Sequence, residues 1–586
     1  MHAVRDDRTP SLLQRLIAVL IVYWPAVPMA VAVADADLPP RAMLLSWSLF
    51  VLAAMAAAGF AATLGRLLVV LVSALLSVYC TLCTALALYR LYTHQWLDLA
   101  LLTAVPADTL ATARLFLGTG TLAAGAAILL AHAAIYTFAL TAIAAAAAAE
   151  PRARVKTGIA TVVLAASLAF TGTPHRDLLI DYSMARRTAG IRPLVDRTRY
   201  AVAPAEAVFL IQLESLNALA VNREYDIPTP DGMPVMRALA AEGILLPHMW
   251  NHDVQTHRAQ QGFLCGAVRN LGMNWFLDQV PFDGDCLPAL FRKAGYKTVF
   301  LKGVADPHFA GADETMPRIG YSDVRFARDL MHPGDRYDLW GVEERTFFAR
   351  AFEYLRKTYK PGERLFVHIA VSAHHVGFSR SGKNDADWFR APHEEQVREY
   401  VASAQQQDLA LATLEPLLDE LTGGNAHVFI FGDHSYPAGL YGSTQPHIGA
   451  TIDNFVTPML YLPPRSRAGE FALGRTIEAL HGQSDLLPTL VELTTRRPQP
   501  NSLVPFLLRT PPPRFVYEPC HVMTQPFGYR AVATAHGDRL DVYGFADRCI
   551  ETFELTHGPL RQKSRGRTCG VAFEEYERRT LCGRYR

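Results

Sequence analysis

The sequence predicts an α-helical bundle of about five membrane spans, then an α/β domain with a mainly parallel sheet, closed by a small β-rich appendage. Three observations predict it. Residues 1–172 are dominated by Ala, Leu and Val in long uncharged runs, whereas residues 173–586 have ordinary globular composition. From Ala207 onward, short apolar runs alternate with helix-like segments, the pattern of a parallel sheet covered by helices. After Arg509 the sequence PPPRFVYEPC opens a tail of short alternating runs, YRAVATA and RLDVYGF, that carries four cysteines. The chain accordingly divides into 1–172 transmembrane, 173–206 a connector along the membrane surface, 207–509 the α/β domain, and 510–586 the Cys-containing appendage.

The membrane part rests on length and charge. A spanning helix needs about 20 mostly apolar residues, and five segments qualify: Leu12–Val33, Met43–Thr63, Leu67–Leu91, Leu115–Ala148 and the shorter Thr157–Thr171. Basic residues gather in cytoplasmic loops. Arg5, Arg8 and Arg15, then Arg66, then Arg152, Arg154 and Lys156 fall on one side if the spans number five, and the α/β domain then emerges on the other. Six spans would place six cysteines (Cys265, Cys286, Cys520, Cys549, Cys569, Cys582) in a reducing compartment; an even number instead fits up to three disulfides outside the cell membrane. No span carries a central charge of the kind that marks an ion pathway, so the helices read as an anchor. A formal net charge of +1 gives no basic field for nucleic acid.

The α/β domain opens on AVFLIQLESLN, residues 207–217. Its apolar half reads as a buried strand that stops at Glu214. Helix-strand grammar repeats in MRALAAEGILL and in LFRKAGYKTVFL; further strands are RLFVHIAV, ending in SAHH, and HVFIF, ending in GDHS. In open α/β sheets, ligands bind beyond the carboxyl ends of strands. Glu214, His374 or His375, Asp433 and His434 stand at such ends, and His447 follows thirteen residues after His434. Carboxylates with imidazole are ligands for Zn²⁺ or Mn²⁺, a cation that activates an oxygen nucleophile and neutralises phosphoryl or sulfuryl charge.

These elements in this order, with a Thr ahead of a Cys-Gly and with S-D-x-x-P-T-L after the last strand, resemble the sulfatase-like branch of the alkaline phosphatase superfamily. Within it the chain is most similar to membrane-anchored lipoteichoic acid synthases and to phosphoglycerol and phosphoethanolamine transferases. The resemblance implies that Thr256, ten residues before Gly266, attacks the donor phosphorus and is transiently phosphorylated. It further implies that Glu214, Asp433 and His434 bind Mn²⁺ or Zn²⁺ together with Thr256. His374 and His447 would contact the transferred group or protonate the leaving group, and Asp485 would be structural. The implied donor is a phospholipid and the implied acceptor an extracytoplasmic glycan or lipid, at a bacterial inner membrane with the catalytic domain facing outward.

Two departures bear on the chemistry. Sulfatases use Cys or Ser in C/S-x-P-x-R, the first residue becoming formylglycine. Here Cys286-Leu-Pro-Ala-Leu290 lacks the Arg and comes late in the chain. Lipoteichoic acid synthases also pair an aromatic with an Arg in the loop that here reads VADPHFAGADE. Phe309 supplies the aromatic, and His308 or Arg258 stands as the candidate positive group. The rivals are a phosphodiesterase or sulfatase with water as acceptor, and a membrane sensor with a degenerate site.

Overall fold

The structure is a computed structural model. It describes most of residues 200–576, with 269–285, 376–392 and 436–454 the longest breaks, together with Arg192–Pro193 and isolated helical residues between 71 and 135. The expected spans lie almost wholly outside the described residues, and among the described residues no helix is long and apolar enough to cross a membrane. The chain divides into two compact units, residues 1–97 with 117–187 and residues 98–116 with 188–586. The second unit holds the α/β domain and the appendage.

A nine-stranded sheet forms the centre of the α/β domain. Its strands are β2 (Ala207–Leu213), β3 (Ile244–Trp250), β5 (Lys297–Lys302), β6 (Asp323–Phe326), β7 (Leu365–Ala370), β8 (Ala426–Gly432), β9 (Val456–Leu462) and the two-residue β10 (Arg475–Thr476) and β11 (His481–Gly482). The order is β10-β3-β9-β8-β2-β7-β5-β6, with β11 also on β3. A short β1 (Arg192–Pro193) pairs antiparallel with β4 (Ala267–Val268), apart from this sheet.

Burial on both faces explains why β2 reads as an unbroken apolar run. Val208 and Leu210 enter one core cluster, while Phe209, Ile211 and Leu213 enter the other. The helices that matter to the site are α1 (Pro234–Leu239), α2 (Thr256–Cys265), α3 (Leu287–Lys293), α4 (Glu344–Thr358), α5 (His393–Leu411) and α6 (Leu486–Thr495). Phe291 of α3 and Leu487 of α6 pack into the first cluster, and Phe347 and Phe352 of α4 into the second, so helices cover both faces as expected.

The sheet departs from all-parallel at one strand. β9 runs antiparallel to both β3 and β8, while the pairs β2/β7, β2/β8, β5/β7 and β5/β6 are parallel. β9 also holds Pro458, and β3 holds Pro247. Neither has an N–H for a ladder, and the β3/β9 register shifts between Leu246 and Met249 to step over them.

The tail is β-rich, as its alternation predicts. It forms a five-stranded antiparallel meander of β12 (His521–Thr524), β13 (Ala531–His536), β14 (Arg539–Gly544), β15 (Cys549–Leu555) and β16 (Gln562–Thr568). Cys549 is disulfide-bonded to Cys569, and in the α/β domain Cys265 is bonded to Cys286. Cys520 and Cys582 lie outside the described residues.

Candidate active site

The sheet order decides which residues meet. β8, β2, β7 and β5 are consecutive and parallel, so their carboxyl ends form one row. That row presents Asp433 and His434, then Glu214, then His374 and His375, then Lys302. β3 is antiparallel to β9 and β9 to β8. The carboxyl end of β3 therefore opens on the same edge, and from there the chain leads into α2, whose first residue is Thr256.

Ligand atoms of Glu214, Asp433 and His434 all lie within 4.8 Å of one another. Thr256 Oγ1 sits 3.3 and 3.2 Å from the two Glu214 carboxylate oxygens and 3.2 Å from His434 Nε2. His434 Nε2 is 3.2 Å from Glu214 Oε1 and 3.7 Å from Asp433 Oδ2. The structure thus brings the four expected metal ligands together around one point.

Local backbone explains how. After Glu214 the chain turns through Ser215 in the left-handed region, at φ 54°, a conformation that costs a non-glycine residue about 1 kcal/mol or more. Hydrogen bonds hold it there. Ser215 N donates to Asp433 Oδ1 at 3.0 Å, Tyr400 OH donates to Ser215 O at 2.7 Å, and Ser215 Oγ donates to Glu214 Oε1 at 3.0 Å. Gly432 must be glycine, because a Cβ there would stand 2.4 Å from the Leu216 carbonyl oxygen; this is a physical reason for the Gly in Gly-Asp-His. α5 supports the row from beneath. Tyr400, Ser403 and Gln407, on one helical face, reach Ser215 O, His374 Nδ1 (2.7 Å) and Glu214 O (3.2 Å) respectively.

The electrostatics are those of a site built for a cation. Burial and the neighbouring Glu214 push the Asp433 carboxyl up to about 6. Glu214 is lowered to about 2: burial opposes this, but the hydrogen bond to His434 and the nearby His375 prevail. Burial also opposes charge on His434, yet Asp433 and Glu214 raise it to about 9. Two buried carboxylates and an imidazole gathered within 4.8 Å, with a hydroxyl against Glu214 and His434, are a donor set that a divalent cation satisfies, since it relieves the carboxylate repulsion and displaces the His434 proton. The residues therefore fit Mn²⁺ or Zn²⁺.

The sequence left His374 and His375 undecided. His375 Nε2 lies 3.9 Å from Glu214 Oε1, and its ring packs on Trp340 with centroids 4.0 Å apart. Burial lowers it to about 4. His374 is fully buried and hydrogen-bonds Ser403, with its ring beside Tyr400. Asp485 accepts from Gly482 N at 2.9 Å and from Thr489 through its backbone carbonyl, a fold-stabilising placement at the start of α6. His447, His308, Phe309 and the Arg258 side chain lie outside the described residues.

Sequence reasoning missed Lys302. It ends β5, is 3% exposed, and is lowered by burial while Glu214 and Asp433 pull it the other way. A lysine closing an otherwise apolar strand, KTVFLK, was the available signal, since buried lysines require charged partners.

Residues 206–495 match the family model described as Sulfatase. No curated protein matches the chain. Among solved structures, the chain is similar to the integral membrane lipooligosaccharide phosphoethanolamine transferase A of Neisseria meningitidis, at 12% identity and a TM-score of 0.50, covering 83% of this chain and 96% of that one. A protein in the alkaline phosphatase superfamily from Vibrio parahaemolyticus is 14% identical with a TM-score of 0.48, covering 69% and 94%. The lipoteichoic acid synthase LtaP of Listeria monocytogenes is 14% identical with a TM-score of 0.42, covering 62% and 91%. At 12% identity the likeness to the Neisseria meningitidis transferase is one of fold.

Proposed function

We propose, from the match of residues 206–495 to the Sulfatase family model, that the chain is a membrane-anchored, metal-dependent transferase of the alkaline phosphatase superfamily. It moves phosphoglycerol or phosphoethanolamine from a membrane phospholipid to an extracytoplasmic glycan or lipid. Members of the superfamily act on phosphate or sulfate esters, and the observation that selects phosphate is Thr256. Its hydroxyl lies against two members of the ligand cluster, Glu214 and His434. Oxidising a threonine at Cβ would give a ketone, so Thr256 cannot become the formylglycine that sulfatases use.

Glu214, Asp433 and His434 would hold a divalent cation, which would lower the pKa of a hydroxyl and neutralise phosphoryl charge. The chain does the rest. Thr256 Oγ1 bonds to the donor phosphorus as the bond to the diacylglycerol oxygen breaks, and the hydroxyl proton ends on that oxygen. The acceptor hydroxyl then attacks phospho-Thr256, regenerating the threonine. Thr256 lies in the first turn of α2, where backbone N–H groups and the helix dipole favour an anion. Lys302, buried at the end of β5, completes the row of strand ends. His375, partly exposed and 3.9 Å from Glu214, is the histidine placed to take the acceptor's proton. His374 orients the loop through Ser403, and His447 remains the proposed companion at the transferred group.

Several observations support the membrane setting. Of the exposed large hydrophobic residues, Leu71, Val78, Leu130 and Ile135 lie in the N-terminal segments, which suits helices facing lipid. The likeness to an integral membrane transferase extends over 83% of the chain, more than residues 207–586 supply. Two disulfides suit an oxidising compartment such as the periplasm. A lipid donor in the same plane is then met at high effective concentration.

The test is to incubate the full-length protein with Mn²⁺ or Zn²⁺ and, separately, phosphatidylglycerol or phosphatidylethanolamine, and then weigh the peptide containing Thr256. The expected result is a glycerol-phosphate or ethanolamine-phosphate adduct on Thr256, absent in Thr256→Ala. Release of free head group without an adduct in metal-loaded protein would instead establish a hydrolase with water as acceptor. A protein that binds no metal would be a sensor.

A further inference from the structure

A line of buried polar groups crosses the first core beneath the site. Gln212 belongs to the face of β2 that otherwise carries Val208 and Leu210, and it is fully buried. Its Nε2 donates to Asp433 Oδ2 at 2.7 Å. Its Oε1 faces two groups: Gln260 Nε2 at 2.9 Å and His368 Nε2 at 2.9 Å. His368 Nδ1 is 2.9 Å from Tyr321 OH. Phe263, Phe300 and Phe431 enclose the line with rings.

Each polarity in this line is determined. Asp433 Oδ1 accepts from Ser215 N and His434 N and its Oδ2 accepts from Gln212 Nε2, so the Gln212 amide turns Oε1 to the other side. Oε1 can only accept, so His368 must carry its proton on Nε2. Burial keeps His368 neutral, well below its ordinary range at about 3, so Nδ1 is left as the acceptor for Tyr321 OH. Tyr321 stays protonated because burial raises it. Every dipole points toward Asp433. Gln260 adds a second tie: it lies four residues after Thr256, on the same face of α2. One amide therefore holds both a carboxylate of the cluster and the helix that carries the hydroxyl.

We propose that Gln212, oriented by His368 and Gln260, is a positioning residue that fixes the orientation of the Asp433 carboxyl as a metal ligand and sets Thr256 against it. The inference rests on the reading of Asp433 as a ligand. Apolar side chains would fill this core without the desolvation of four polar groups. Partners that orient ligating carboxylates typically change metal affinity 10–100-fold when removed.

The experiment measures Mn²⁺ affinity by chelator competition in the full-length protein, alongside thermal melting of the metal-free form and kcat against KM for transfer. Gln212→Met, of similar volume and without polar atoms, is expected to weaken Mn²⁺ binding roughly 10–100-fold and to lower kcat more than it raises KM, with the metal-free melting temperature unchanged or higher. His368→Phe, one step further from Asp433, is expected to weaken binding about three-fold or more, and His368→Gln, which restores a donor, to recover most of it. Should Gln212→Met fail to fold, the His368 pair carries the test. Parent-like Mn²⁺ affinity in Gln212→Met, or in His368→Phe, would overturn the inference while leaving Asp433 as ligand. Parent protein that binds no Mn²⁺, or binding undiminished in Asp433→Ala, would overturn both.

Discussion

β2 and β8 lie side by side, and an acid and a histidine meet at each end of the pair. At the carboxyl ends Glu214 meets His434 at 3.2 Å; at the amino ends Glu206 meets His427 at 3.6 Å. The residue types match, but the surroundings do not. Arg467 closes the amino-end cluster: it lies 3.6 Å from Glu206, pairs with Glu470 at 2.8 Å and donates to Leu493 O at 3.1 Å. Tyr461 OH occupies the other ring nitrogen of His427 at 2.8 Å. At the carboxyl end a second carboxylate, Asp433, replaces the arginine, and the atoms converge on Thr256. One cluster is complete by itself, while the other asks for a cation. A buried glutamate-histidine pair is therefore no sign of catalysis until its charge is balanced against everything around it.

The largest expected effect separates the two ends most sharply. Asp433→Asn should lower kcat/KM for the proposed transfer by about 10³-fold or more, the scale of losing a main electrostatic stabiliser, with little change in the melting temperature of metal-free protein, because relief of repulsion with Glu214 offsets the lost acceptor of Gln212. Melting with and without chelator checks this, and a clear drop in the metal-free melting temperature would make the carboxyl end structural, like the amino end. Arg467→Met should do the opposite. It removes the arginine from Glu206 and the donor from the Leu493 carbonyl and should cost about 1–2 kcal/mol in denaturant unfolding, while activity per folded molecule is kept. Replacing Cys265 and Cys286 with serine opens a loop between residues 21 apart and should cost about 2–3 kcal/mol, again with smaller change in Mn²⁺ affinity than in stability.

The smallest effect concerns acid. Glu206 is held near 2, chiefly by its hydrogen bond with His427, against burial and with help from Arg467. A carboxyl lowered in the folded state adds stability that is present above its unfolded pKa near 4.5 and is lost as pH falls toward 2. Because the side chain is partly solvated, the net contribution is about 1 kcal/mol. The stability difference between pH 6 and pH 3 should shrink by about that amount in Glu206→Gln, as read from urea midpoints. No change would mean that Arg467 alone maintains this end.

Much of the fold was legible in sequence because burial on both faces leaves unbroken apolar runs. AVFLIQL, LFVHIA and AHVFIFG became β2, β7 and β8, each ending where polar residues begin. Strand direction was not legible: VTPMLYL has the same composition whether it runs with its neighbours or against them, and only pairing made β9 antiparallel. Among site residues, Glu214, Asp433 and His434 were readable because each stands just past an apolar run. Gln212 was not, because it lies inside such a run, where a lone polar residue gives no sign of its partner; Lys302 closes its run and offered a signal.

The sequence by itself determined which residues stand at strand ends, that Thr256 precedes a Cys-Gly at a set spacing, and that the first 172 residues are apolar enough for membrane spans. These are local properties, set by composition and by the short-range period of side chains. The tertiary structure alone decided that β8, β2, β7 and β5 are neighbours, that His375 rather than His374 stands 3.9 Å from Glu214, and that Gln212 joins Asp433 to the helix of Thr256. Those facts depend on strand order and register, which long-range packing sets and no local window contains.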